Sequence, residues 1–466
     1  MRKKILNSVL FLCFLGGVIF SSASVHAAVW YVDADAPGGD GTSWGTAFDN
    51  IQDAVNACSS KWMICMGPTD QIWVKSGFYS LSNQIAVNKY ITIYGGFNGT
   101  ETSSSQRDWE NNSTLVNGNN SVRCFYITAP AIIDGFNIRR GRASNANGGG
   151  IYINKNPVYC SSLDFYHVAK IKNCIITQNT AELDGGGIYD FKSDPVITNC
   201  SFIGNSARCG GGIKNWESSP IIEKCRFKAN QSTAPGSWGG GAICSDYLCY
   251  GSITNCMFHL NESNSWGGAI AYHMAYTYIT NCTFSENEAV NSGGAIYSNT
   301  GGPRVKNCIL WDDTPDEISI EFTSSTWPYV KYSDVKGGYS GTDNIDDDPE
   351  FVYPPIDLHL QPGSPCVDTG TNSGAPDEDI DGLLRPQDGD GDGTVVCDMG
   401  AYEVACLCEG DFTDDGDVDG SDLAVFAADF GRTDCVVCKG DFDKDKDVDG
   451  SDLAVFAADF GRTDCP

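Results

Sequence analysis

Residues 185–208 read GGGIYDFKSDPVITNCSFIGNSAR. Three short runs in it, GIYD, PVIT and CSFIG, are rich in β-branched and aromatic residues. Gly, Asp, Pro, Asn and Ser break them apart, and none is long enough for an ordinary helix. The phrase recurs along the chain. GGGI stands at 148–151, 185–188 and 210–213, and GGAI at 240–243, 267–270 and 293–296. Cys174, Cys200, Cys225, Cys256, Cys282 and Cys308 follow at spacings of 26, 25, 31, 26 and 26 residues. Asn173, Asn199, Asn255, Asn281 and Asn307 immediately precede five of them, and Lys224 fills the remaining slot.

Runs this short cannot bury a face alone, but stacked units bury one continuous core. At about 4.8 Å per layer, a residue lies on its equivalent in the next coil. The six cysteines are expected to form an internal ladder of packed thiols, since buried Cys behaves as a small hydrophobe. The asparagines before them are expected to form a turn ladder, with Gly pairs at a tight corner. The fold class is therefore all-β, a right-handed parallel β-helix solenoid. Over roughly 85–340 the repeat resembles those of polymorphic outer-membrane-like and pectin-lyase-like solenoids.

The chain opens with Arg2, Lys3 and Lys4, an apolar run from Ile5 to Phe20, and a small-x-small site at Val25-His26-Ala27. This reads as a signal peptide over 1–27, with no membrane span left after cleavage. In 28–84 a strand (WYVD), a Gly/Asp loop and an amphipathic FDNIQDAVNAC helix suggest a cap and first coil. Asp33, Asp35 and Asp40 fit a solvated loop. In an exported chain Cys58/Cys65 and Cys366/Cys397, outside the ladder, are the expected disulfides.

The net charge is -30. Residues 343–403 carry -15 of it and residues 411–466 carry -11, so the body is near neutral. Nucleic acid and anionic membrane need a basic face, so the charge distribution argues against them as partners. Bound cations are favoured.

Lyases and polygalacturonases of the pectin-lyase-like group combine carboxylates with Lys, Arg or a Gly-His-Gly segment. No such constellation is readable here. His167, His259, His273 and His359 stand in no motif, and the catalytic residues stay unknown. Spacing within one strand cannot exclude a site, because β-helix sites are assembled across coils. Trp216, Trp238 and Trp266 recur near the Gly corner, and Tyr152, Tyr189 and Tyr297 share one place after the Ile. They either stack on sugar or cover the solenoid.

The acidic end has two parts. In 341–405, DEDIDGLLRPQD places Asp377, Asp379, Asp381 and Asp388 at positions 1, 3, 5 and 12, with Gly382 at 6. That is calcium-loop spacing. The string DIDGLLRP…CDMGAYE resembles the closing segment of choice-of-anchor Q β-helix proteins. In 409–466, VDGSDLAVFAADFGRTDC occurs twice, at 418–435 and 448–465. Asp411, Thr413, Asp415, Asp417, Asp419 and Asp422 take positions 1, 3, 5, 7, 9 and 12 of one loop. Asp441, Asp443, Asp445, Asp447, Asp449 and Asp452 take them in the other. Alternating oxygens surround calcium, with the position-7 residue using its carbonyl. A helix follows each loop. Leu423, Phe426, Ala427 and Phe430 are expected on one face, as are Leu453, Phe456, Ala457 and Phe460. Cys408, Cys435, Cys438 and Cys465 flank the copies at equal offsets and are expected to staple them.

Two calcium loop–helix units thirty residues apart resemble a type I dockerin, a small α module. The resemblance implies calcium as cofactor and a cohesin-like protein as partner through 409–466, with Gly420-Ser421 and Gly450-Ser451 at the contact. Thr413 at position 3 departs from the pattern and should weaken the first site; Lys446 at position 6 should strain the second. The preferred reading is a secreted or cell-surface binding or structural protein engaging polysaccharide or protein. The alternative is a polysaccharide lyase or glycoside hydrolase tethered through its dockerin-like module. A cross-coil cluster of carboxylates with Lys or Arg would favour the enzyme.

Overall fold

One unit of the repeat makes one coil. In a computed structural model, residues 27–59, 69–155, 158–160, 165–236, 238–322, 329–391, 393–405, 410–413, 415–433, 438–442 and 445–461 are described. The unit quoted above forms strands Ile188–Phe191, Val196–Thr198, Ser201–Ile203 and Ser206–Ala207, then turns at Gly210 into strand Ile213–Trp216 of the next coil. Each strand pairs in parallel with its equivalent, as Ile188↔Ile213, Ile197↔Ile222 and Phe202↔Phe227 do. Among the described residues this gives parallel sheets of 11, 10 and 9 strands and a narrow one of six. The chain is a right-handed parallel β-helix. No described helix is long and apolar enough to cross a membrane.

The corner requires glycine. Gly185, Gly210, Gly240, Gly267 and Gly293 all have φ between +66° and +71°, a region other residues adopt at a cost. A Cβ on the following Gly186 would lie 2.4 Å from the Gly211 carbonyl of the next coil.

Inside, like stacks on like. Phe202, Phe227, Phe258 and Phe284 lie ring on ring at 4.7, 4.8 and 4.6 Å, within 7° of parallel. That is the interstrand spacing itself. Burying each such ring contributes roughly 2–3 kcal/mol. The cysteine ladder is buried and every member is a free thiol. Each Sγ donates to the carbonyl two residues earlier, as Cys200 does to Thr198 at 3.3 Å.

The expected asparagine turn ladder forms in part, with Asn199 Nδ2 donating to Asn173 Oδ1 at 2.8 Å and Asn307 Nδ2 to Asn281 Oδ1 at 3.3 Å. Asn173, Asn199, Asn255, Asn281 and Asn307 do share one bend, at φ 49–51°, but Lys224 has the same conformation and breaks the chain of amides. The continuous ladder is another set, Asn179, Asn205, Asn230, Asn261 and Asn287, all fully buried. Each Oδ1 from Asn205 onward accepts both the N–H and the Nδ2 of the asparagine one coil before. Asp313 ends the row, accepting from Asn287 N at 2.7 Å and Nδ2 at 2.6 Å.

Residues 29–59 close one end. Strand Val29–Val32 pairs with Asp70–Lys75, and helix α1 (Ile51–Ala57) buries Ile51, Ala54 and Val55 against the core. The acidic segment folds back against the outside of the coils. Asn255 donates to the Glu378 carbonyl, Asn281 to Asp398 and Asn307 to Thr371. Lys224 pairs with Glu378, and Arg226 with Asp381. Beneath, Arg385 and Glu403, both side chains fully buried, lie 3.3 Å apart.

The expected Cys366–Cys397 disulfide is absent. Both are free, because each packs against a different neighbour: Cys366 donates to Asp334 at 3.2 Å, and Cys397 receives Arg385 at 3.2 Å. Cys58 is also free; Cys65 lies outside the described residues.

The doubled C-terminal phrase forms helices α2 (Gly420–Asp429) and α3 (Gly450–Asp459). Phe412, Val418, Phe426, Val448 and Phe456 are its core. The copies are laced reciprocally, Gly431 N to Val448 O and Gly461 N to Val418 O, each at 2.7 Å. The helix face differs from expectation. Phe426 is buried, but Leu423 and Phe430 are 40% and 49% exposed. Asp422 must turn toward its loop, and that puts Val425, Phe426 and Asp429 on the inner face at helical spacing.

Candidate functional site

One coil is too long, and the excess makes a pocket. From Cys225 to Cys256 the chain spends 31 residues where its neighbours spend 25 or 26. The register Phe202↔Phe227↔Phe258 and Ile188↔Ile213↔Ile243 is nonetheless unbroken. The surplus must leave the stack, and part of it does so between Gln231–Ser232 and the Gly239-Gly240 corner. This loop lies over the outer face of the nine-stranded sheet.

On that face side chains alternate. Ile213, Ile243 and Ile270 point inward in one row. The next row outward carries Lys214 beside Cys244, and the row two residues on carries Trp216, Asp246 and His273 on consecutive coils. The loop overhangs them with Ala234, Pro235, Gly236 and Trp238, bounding an open pocket of about 470 Å³. Trp238 lies flat on His273, with centroids 3.8 Å apart at 10°. Trp216 stacks on Tyr247 at 5.1 Å.

A charge chain runs along the floor. Asp246 takes Lys214 Nζ on Oδ2 at 3.3 Å and His273 Nδ1 on Oδ1 at 2.8 Å. Lys214 is 1% exposed, and its Nζ also lies 3.2 Å from Cys244 Sγ. Burial drives its pKa down, but the surrounding Cys209, Cys244, Asp246 and Asp184 outweigh it and the net shift is upward. The lysine is thus a fixed buried cation. At the rim Arg208 grips Asp184 with two bonds of 3.0 Å.

With Nδ1–H donating to Asp246, the His273 ring presents Nε2 as its proton acceptor. A carboxylate-oriented imidazole against an aromatic wall, with a buried ammonium beside the carboxylate, is equipped for proton abstraction. Both carboxylates already serve cations, so a free pair of carboxyl groups for glycoside hydrolysis is not formed in this pocket.

None of these residues stood out in the sequence except Trp216 and Trp238. Two signals could have found them. One is the 31-residue spacing; the other is the appearance of Lys214 in a slot that holds Tyr, Cys or Ala in neighbouring coils, and of Asp246 and His273 in one that holds Asn, Phe or Trp.

The acids singled out in the sequence lie elsewhere. Asp379 is buried and its Oδ1 accepts the amides of Asp381, Gly382 and Leu383 at 2.7–2.8 Å. Asp381 pairs with Arg226 and with His359 Nε2, and the Asp377 carbonyl receives Arg385 N. Asp388 instead groups with Asp368 and Asp390, their oxygens within 4.8 Å of one another. The four residues are not brought around one centre, because Asp379 is spent on the turn.

In the doubled module Asp411, Asp415 and Asp422 bring oxygens within 4.8 Å, as do Asp447, Asp449 and Asp452. That span fits a cation bound at 2.3–2.6 Å from opposite sides. Asp441 Oδ1 is buried and lacks a hydrogen-bond partner, as a ligand oxygen awaiting a cation would. Asp422 Oδ1 accepts Phe412 N and Thr413 N, and its Oδ2 accepts Asp419 N. Asp452 repeats the pattern on Phe442 and Asp449. Asp417 and Asp445 are hydrogen-bonded within their loops, and Asp419 caps α2. Asp443 lies outside the described residues, as do Cys408, Cys435 and Cys465; Cys438 is disulfide-bonded.

Residues 281–299 match the sequence model of the Chlamydia polymorphic membrane protein (Chlamydia_PMP) repeat. No curated protein matches the sequence. Among solved structures, pectate lyase Pel9A aligns over 81% of this chain and 96% of its own, at 14% identity and a TM-score of 0.43. The deglycosylated pectin methylesterase from Aspergillus niger covers 69% of this chain and 86% of its own, at 13% identity and a TM-score of 0.27. ORF18 of Geobacillus virus E2 covers 62% and 59%, at 13% identity and a TM-score of 0.30.

Proposed function

We propose that the chain is an exported polysaccharide-acting protein whose roofed coil binds an acidic saccharide and cleaves it by β-elimination. The reading rests on one observation, the Lys214–Asp246–His273 chain beneath Trp238. His273 Nε2 takes the proton from the carbon beside a uronate carboxyl group. The electron pair forms a C=C bond, and the glycosidic oxygen leaves and collects a proton from solvent. Lys214 is too buried to touch a sugar. It is a positioning residue that holds Asp246, and through it His273. Trp216, Tyr247 and Trp238 supply apolar faces for sugar rings.

The second reading is a non-catalytic polysaccharide- or protein-binding surface protein. Trp238, at 37% exposure, favours it as much as it favours the first. In both readings the signal peptide exports the chain, and the 409–466 module holds calcium and attaches it to a cohesin-like partner. Asp411, Asp415 and Asp422 are the proposed ligands in one loop, and Asp441, Asp447, Asp449 and Asp452 in the other. The mature chain incubated with polygalacturonate, alginate and a neutral glucan separates the readings. A lyase yields new chain ends together with the ultraviolet absorbance of a C=C bond conjugated to a carboxylate. A hydrolase yields chain ends alone. Retention without new ends leaves a binding protein.

A further inference from the structure

Each ladder thiol points at a backbone carbonyl 3.0–3.3 Å away. Two other buried cysteines do not. Cys209 stands just before the Gly210 corner, and Cys244 stands outward on the following coil. Their sulfurs meet at 2.6 Å, and Lys214 Nζ lies 3.2 Å from Cys244 and 3.8 Å from Cys209. Both backbone positions are fixed by parallel pairing, Cys209 to Asp184 and Cys244 to Lys214. The contact is built in by the coil register, and Cys209 also lines the pocket.

We propose that Cys209 and Cys244 are a reversible dithiol–disulfide pair in the floor of the roofed pocket. Lys214 is the cation that activates it. Although burial pushes the Cys244 thiol up, its hydrogen bond from Cys209 and the Lys214 charge bring it below its ordinary value. The thiolate is the attacking species in disulfide exchange. The oxidant is a small-molecule disulfide. The first sulfur to attack forms a mixed disulfide and expels one thiolate, which takes up a proton. The second sulfur then loses its proton, attacks the first and expels the other small thiol. Two protein thiols lose two electrons, and one disulfide is reduced to two thiols. Closure removes the thiolate charge beside Lys214 and leaves it to the carboxylates. It also ties the corner of one coil to the next strand, under the site.

The test uses the full native chain equilibrated with excess glutathione disulfide. It is quenched in acid, alkylated in denaturant and digested without reductant for mass mapping. The expected result is a linked peptide pair joining Cys209 to Cys244, with ladder Cys200 and Cys225 wholly alkylated. Separate alkylation of Cys209 and Cys244, or linkage of either to another cysteine, overturns the proposal. In Lys214→Met the rate of closure should fall roughly threefold. Losing the ammonium lowers the fraction of thiolate, and the greater nucleophilicity of the more basic sulfur offsets only part of that loss. An unchanged rate overturns the role given to Lys214.

Discussion

Trp238 covers His273 face to face at 3.8 Å, although the two belong to different coils. The tryptophan comes from the surplus loop and the histidine from the regular sheet. The pocket therefore depends on a departure from the repeat. Trp238→Ala should weaken retention on a bound polysaccharide about tenfold, the order of one lost aromatic stack. Trp238→Phe should recover most of it. Affinity electrophoresis of the two variants measures this, and equal mobility shifts would deny the loop any part in binding.

Asp246 fixes which nitrogen of His273 carries the proton. In Asp246→Asn the amide can donate to Nδ1 and select the wrong tautomer. Turnover should fall by on the order of 10³-fold or more, as when the orienting carboxylate of a triad is replaced. Retention on substrate should change little. Parallel loss of binding and rate would mean that the substitution merely collapses the pocket.

The buried amide ladder makes a sharper claim about stability. Asn261 Oδ1 accepts from Asn230 N at 3.1 Å and Nδ2 at 2.9 Å, while its Nδ2 donates to Phe227 O and Asn287 Oδ1. Asn261→Ala strands two buried donors and should cost about 3 kcal/mol. Asn261→Asp should cost more, because a carboxylate would face the Asn287 oxygen without a proton to give. Denaturant midpoints compared with the parent decide it.

The coils were legible because a solenoid writes its period into the chain. Gly210, Ile213 and Cys225 each have partners one period away, and these fix the register. Which asparagine would be buried was not legible from the Asn-Cys pairs alone. The bend at Asn173 needs only a positive φ, which Lys224 also adopts. The slot at Asn179 needs an amide that both accepts and donates, and the recurrence of Asn there was the overlooked signal. Lys214, Asp246 and His273 were illegible for another reason. They converge across three coils, and no linear spacing records which strands lie side by side. In the C-terminal copies the loop ligand Asp422, rather than apolar periodicity, set the helix face.

The end of the ladder carries a pH dependence. Asp313 and Glu317 are buried next to each other, and burial above all pushes both above the ordinary carboxylate range, with the Asp312 charge adding to the rise of Asp313 and the Asp313 charge to that of Glu317. Asp313 Oδ2 and Glu317 Oε2 have no hydrogen-bond partner. The folded chain keeps protons that the unfolded chain releases near pH 4. At this pair the folded state binds more protons than the unfolded state, so the pair's contribution to stability falls as pH rises from there through neutrality. Asp313→Asn keeps the acceptor for Asn287, removes one charge and offers Glu317 a donor. The variant should melt higher than the parent at about pH 9 and differ little at about pH 5, where both acids are protonated. Asp190, buried and pushed up to about 8, keeps its own contribution of the same sign in both proteins. A variant that melts lower at the higher pH would overturn the buried-acid account.

Position 6 of the second loop gives the last test. Gly416 and Lys446 take the same left-handed backbone, at φ +88° and +79°. Glycine adopts it freely, whereas a side chain costs roughly 1–2 kcal/mol. The loops must order before α2 and α3 can form, since helices of ten residues do not persist alone. Calcium should therefore slow amide hydrogen exchange in both helices, and a chelator should restore it. Lys446→Gly should strengthen calcium protection of α3 by about fivefold in affinity, the lower end of the backbone cost. Asp422→Ala should abolish protection of α2 even with calcium, because the same carboxylate holds Asp419, Phe412 and Thr413. Exchange indifferent to calcium in the parent chain would strip the module of its proposed cation. It would leave the acidic loops as turns held by their own amides.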